Sequence, residues 1–273
     1  MIAHGSAFPV AKLALNNSVP PILMASLRML LVLIILIPFW KFKLPNKKFY
    51  KPLIVFSVSM GVLVYVFMNL SLFYSSIISP IILGSQLAIP FGILASAFIL
   101  QENISKNKWL LILSSFAGIL IIFFDPKLSE NYLGLFFASL MALFFGLAQV
   151  YSRQLKDLPI SMINASTGLF GFLILMIIST LIEGNIYSNI EKINISSWVL
   201  ISYQAIIVSL CAHLLMFYLY KFYTVGQIFP FYSLFPIFGI ILSYITFREV
   251  PTLMFILGGI IVISSVFLLY KIK

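Results

Sequence analysis

Arg28 stands inside an apolar run from Pro20 to Trp40, about eight residues, or 12 Å of helix, from the end of that run. A guanidinium in such a place must snorkel, bond to backbone carbonyls or face a watery cavity. In a cavity it would grip a substrate carboxylate with two parallel N–H bonds. Against a neighbouring helix it would cap carbonyls, and both readings stay open. Other polar and aromatic residues fall at mid-depth in apolar runs: Tyr65, Asn69, Ser85, Gln86, Asn164, Tyr203, Gln204, His213, Tyr232 and Ser233. Taken singly, each could simply bond one helix to another, at about 0.6 kcal/mol per contact. Taken together with Arg28 they suit a ligand cavity, and all but Asn164 are expected to bind substrate.

Other chemistry is poorly provided for. All seven acids lie in connections or at the ends of apolar runs, so no carboxylate sits at depth as a proton carrier. The two histidines are 209 residues apart, which leaves no catalytic pair and no metal cluster. Cys211 is the single cysteine, so an intrachain disulfide is excluded. No nucleotide-binding motif, charged ring or filter repeat is present, which argues against ATP drive, a channel and any cofactor.

The elements that position these residues follow from composition. With 62% apolar and 9% charged residues, the chain cannot cover an aqueous surface. Its solvent is lipid. Ten apolar runs can serve as spans: 1–16, 20–40, 52–73, 77–100, 109–124, 132–152, 160–182, 198–221, 224–247 and 252–270. Alternate connections hold twelve basic residues against three (Lys127, Lys192 and Arg248), which orients both termini to the cytoplasm. The net charge of +10 is therefore a topology signal and not a nucleic-acid footprint. Lys12 and its counterpart Arg153 are expected to anchor helix ends at the membrane interface.

The sequence repeats itself. Gly92, Ser96 and Glu102 superpose without a gap on Gly239, Ser243 and Glu249, with Pro90 and Pro236 one residue out of register. Gly5 and Lys12 align with Gly146 and Arg153, and proline closes the following connection in both halves, at Pro20 and Pro159. Five helices per half is an odd number, so the second half must enter the membrane from the opposite side. This gives an all-α membrane protein of ten helices, as two inverted repeats over 1–125 and 126–273, the arrangement of secondary transporters. Pro90 and Pro236 each free a carbonyl four residues earlier, at Gln86 and Tyr232, and are expected to act as gates with Glu102 and Glu249. The first helix is shorter than its counterpart, as though the chain began inside a longer gene product.

These motifs resemble the drug/metabolite transporter superfamily in its ten-helix, EamA-like branch. The resemblance rests on His4 to Lys12, Pro20 to Arg28, the doubled Pro-to-Glu signature, and closing helices with Gly118 and Gly258-Gly259. It implies a metabolite carrier with a central cavity between the halves, most often an exporter, and does not fix the substrate. The expected protein is an inner-membrane carrier working by alternating access, with an amino acid or related compound favoured as substrate by Arg28 and the amide and tyrosine residues. A monomer or homodimer in the lipid bilayer is the expected form. A drug exporter of the same superfamily and a non-transporting scaffold are the alternatives. Where the family usually has Trp, this chain has His4. The smaller four-helix exporters use a first-helix acid for proton exchange, so His4, if not simply part of an exposed terminus, could couple transport to protons.

Overall fold

The computed structural model describes residues 1–39, 45–212, 215 and 234–271. His213, Tyr232 and Ser233 lie outside the described residues. Among the described residues the chain is all-helical, without a strand. Helix α1 is in two pieces, Ile2–Gly5 and Ala7–Asn16. Pro9 cannot donate to the carbonyl of Gly5, so the chain breaks at Ser6 and restarts with the proline in its first turn. Among the described residues six helices are long and apolar enough to cross a bilayer: α2 (Pro21–Phe39), α3 (Lys47–Phe73), α4 (Ser79–Ile99), α5 (Lys106–Phe123), α6 (Tyr132–Gln154, led by a 3-10 turn from Pro126) and α7 (Ile160–Ile182). After a short connecting helix, Ile186–Glu191, come α8 (Ile195–Cys211), α9 (Phe235–Phe247) and α10 (Leu253–Lys271).

Packing follows the glycines of the sequence repeat. A Cβ on Gly5 of α1 would lie 2.8 Å from the amide nitrogen of Gly239 in α9. A Cβ on Gly146 of α6 would lie 2.6 Å from the amide nitrogen of Gly92 in α4. Side chains do not fit at such distances, so each crossing requires glycine. The sequence repeat pairs Gly5 with Gly146 and Gly92 with Gly239, so these two crossings are counterparts. Each joins the first helix of one half to the fourth of the other. The remaining packing keeps the same pattern: α3 runs along α6 as α8 runs along α1, α2 packs on α7, and α5 on α10.

Among the described residues two helices widen to π geometry. Ser59–Leu63 in α3 and Gln204–Cys211 in α8 are π-helical. The third and eighth helices are themselves repeat counterparts. Such insertions re-aim the side chains that follow, and they gather at functional sites. Helix α4 tightens instead into a 3-10 turn at Ser85–Leu87, just ahead of Pro90. Pro236 lies in the first turn of α9, where a missing N–H costs nothing.

Candidate functional site

A cavity of about 390 Å³ lies between the halves. That is the lower end of the range for small-molecule sites. Arg28 is buried on its wall, with its guanidinium carbon 4.2 Å from the centroid of the Tyr65 ring. Its Nε donates to Ser209 Oγ at 2.9 Å. The π-helical segments make this grouping possible: Tyr65 follows the one in α3, and Ser209 lies within the one in α8. Ser85 and Gln86 reach the cavity from the 3-10 turn of α4. Ser85 Oγ is occupied by the carbonyl of Ile82 at 2.6 Å. Gln86 is 2% exposed, and neither its amide nitrogen nor its amide oxygen has a hydrogen-bond partner among the described residues. The rest of the wall is largely apolar, with Met60, Val64, Met68, Ile89, Met141, Phe145 and Phe235.

Arg28, Tyr65, Ser85 and Gln86 are thus brought together on the cavity wall. Asn69, Tyr203 and Gln204 are not among the residues that line it. Asn69 Nδ2 donates to the carbonyl of Pro21 at 2.8 Å, holding the start of α2. The Tyr203 hydroxyl bonds Ser6 Oγ at 2.9 Å, and Gln204 Nε2 donates to the carbonyl of Ala7 at 2.5 Å. Both tie α8 to the break in α1. His4 is no part of an exposed terminus: it is buried and lines the cavity. The sequence offered no sign of the apolar wall, since one Met or Phe in a lipid-facing run looks like any other.

The two ends of the cavity differ. At one end it extends to Glu102, Asn103, Lys108 and Arg153. Here Arg153 Nη1 meets Glu102 Oε1 at 3.2 Å, with both side chains at least half exposed. The opposite end is closed by bonds between helix ends. Glu249 accepts from the amide nitrogens of Ile78 and Ser79, at 2.6 and 3.0 Å, and from Ser79 Oγ. Lys12 Nζ donates to the carbonyls of Leu72 and Ser75, at 2.7 and 2.6 Å, within electrostatic reach of Glu249. Lys12 is therefore no lipid-facing anchor. It is half-buried and supplies a cation to the C-terminal carbonyls of α3, where the helix dipole favours one.

Sequence reasoning missed a second carboxylate at that end. Glu183, just past α7, accepts from the amide nitrogens of Ile22 and Leu23 at 2.7 and 2.8 Å. It satisfies the free donors in the first turn of α2. Its position in a connection made it look like ordinary surface charge. At the same face Asn131 Oδ1 accepts from the amide nitrogen of Ser76 at 2.8 Å, and Thr252 donates to Asp125. The carboxylates of Glu102 and Glu249 are presented alike. Each follows a residue in the left-handed region, Gln101 at φ 54° and Arg248 at φ 57°, which ends its helix and turns the chain back.

A chain of apolar helices around a central cavity, with polar contacts concentrated at the helix ends, defines the class of multi-pass membrane transporters. The family model of the EamA-like transporter family matches residues 1–124 and again 132–271, and the chain belongs to that family. EamA-like proteins are membrane transporters of the drug/metabolite superfamily and not enzymes, which implies a small-molecule substrate and a lipid environment. No curated protein matches the chain. One solved structure it resembles, titled only as the crystal structure of a protein, is 16% identical, with a TM-score of 0.60 over 97% of this chain and 93% of that one. At that identity the likeness is one of fold.

Proposed function

We propose that the chain is a secondary carrier that exports a small metabolite, an amino acid or related compound, across the inner membrane by alternating access. Its ten passes form two inverted repeats, 1–125 and 126–273, with both termini in the cytoplasm. The observation that carries this reading is the unequal closure of the central cavity: it reaches the Glu102 face and is tied shut at the Glu249 face. With the basic connections on the Glu102 side, this unequal closure supports an inward-open reading.

The inverted repeat supplies the other state. Lys12 and Arg153 are counterparts, as are Glu249 and Glu102. In the outward-open state Arg153 and Glu102 draw in on the helix ends around them, while Lys12 and Glu249 let go. The Gly5–Gly239 and Gly92–Gly146 crossings act as the pivots, because helices in backbone contact can rotate without moving side chains out of the way. The 3-10 turn at Ser85–Leu87 and Pro90 give α4 a hinge beside the cavity. Arg28, Tyr65 and Gln86 bind substrate at that level, and His4 is placed to exchange a proton there.

Counterflow in vesicles tests the reading. Reconstituted protein preloaded with a metabolite pool should accelerate uptake of the same labelled compound and saturate with its concentration. Non-saturable flux would indicate a channel, and no flux for any metabolite would indicate a scaffold.

A further inference from the structure

The acids of this chain limit what its cavity can hold. Glu102 is the one carboxylate on the wall, at the mouth, where it already meets Arg153; the other six lie elsewhere, and the undescribed residues contain none. Arg28 is accordingly a buried cation whose neighbours are a hydroxyl and an aromatic face, with no counterion. A buried charge without a partner is costly, and the cost disappears when a ligand brings the opposite charge. Lys108 and Arg153 make the mouth basic as well, which draws anions toward it. Gln86 adds an independent demand. Its buried amide has a donor and an acceptor both unmet among the described residues, and an amide on the ligand complements both at once.

We infer that the cavity takes a monocarboxylate bearing an amide and no free ammonium, an N-acylated amino acid or a compound of that chemistry. The inference rests on the carrier reading and narrows its substrate. The carboxylate faces the Arg28 guanidinium, the amide pairs with Gln86, and an apolar side chain lies among Met60, Met68 and Phe145. A free α-ammonium would enter a wall without a carboxylate at depth and would lose its hydration uncompensated.

Four related compounds separate the requirements when titrated calorimetrically into the full chain in lipid nanodiscs. N-acetyl-L-leucine has the anion and the amide, 4-methylpentanoate the anion alone, L-leucine both charges, and L-leucinamide the cation with an amide. N-acetyl-leucine should bind at least about tenfold more tightly than leucine and leucinamide. Gln86→Leu should weaken N-acetyl-leucine by about tenfold and leave 4-methylpentanoate within about twofold. Arg28→Gln should remove the preference for anions. The wild-type ranking needs no variant to fold, and leucine or leucinamide binding as tightly as N-acetyl-leucine overturns the inference. So does an absence of binding by all four in protein whose vesicles exchange other metabolites. If the vesicles exchange nothing, the carrier reading itself fails.

Discussion

The Glu102 and Glu249 faces each set a glutamate near a basic residue and make different contacts. At both, a left-handed residue ends the fourth helix of a half and presents a glutamate, near a basic residue from the first helix of the other half. At the Glu249 face the carboxylate is spent on first-turn amides of α4 and the ammonium on last-turn carbonyls of α3. At the Glu102 face the two charges meet each other, largely exposed. A carboxylate on backbone N–H groups is worth about 1.5–3 kcal/mol per bond, whereas an exposed ion pair is worth about 0–1 kcal/mol. Similar groups thus tie helix ends together at one face and pair only with each other at the other.

The largest effect should come at the glycine crossings, where the two halves are alike. Gly5→Val and Gly146→Val each force a side chain into the opposite backbone, and both should abolish monodisperse protein in size-exclusion chromatography. If one variant behaves as wild type, the crossings are not equivalent. Next come the carboxylates, where the faces should part. Glu249→Gln should lower unfolding stability by about 2–4 kcal/mol, since amides replace charge-assisted bonds. It should also raise the labelling of cysteines introduced near Ser75 from the outside. Glu102→Gln should change stability by less than about 1 kcal/mol. Equal losses at the two would remove the contrast.

Lys12→Met and Arg153→Met should repeat that ranking on a smaller scale. The first should cost about 1–3 kcal/mol through its two carbonyl bonds, and the second a few tenths. Thermal unfolding in one lipid composition would compare them. The smallest effect is expected at the turns themselves. Gln101→Gly and Arg248→Gly relieve the same left-handed conformation, so each should stabilise by about 1 kcal/mol or less, and by similar amounts. A large difference between them would mean that the turns, and not the contacts, distinguish the faces.

Much of the fold was legible because lipid makes strong demands on sequence. Backbone groups in a bilayer must bond within a helix, so apolar runs mark helices, and proline and glycine mark where helices bend or touch. The repeat aligned Gly5 with Gly146 and Gly92 with Gly239 before their contacts were known. The site was legible only in part. Arg28, Tyr65, Ser85 and Gln86 share the cavity wall, but Asn69, Tyr203 and Gln204, as polar and as deep, serve the backbone of α1 and α2 instead. A polar residue at depth must bond to something, and sequence does not say whether the partner is a ligand or a carbonyl. The π turns in α3 and α8 were equally silent, since they arise from packing and leave no composition signal.

By itself the sequence determined the solvent, the helices, the repeat and the family motifs, because each depends on local apolarity or on residue spacing. Toward which face the cavity extends depends on the folded chain. Each face has a glutamate near a basic residue, and the contacts they make depend on which helix ends lie within hydrogen-bond reach. For Arg28 likewise, the sequence placed a cation at depth, and only the folded chain put it beside a cavity with Tyr65 beneath it and no acid to neutralise it.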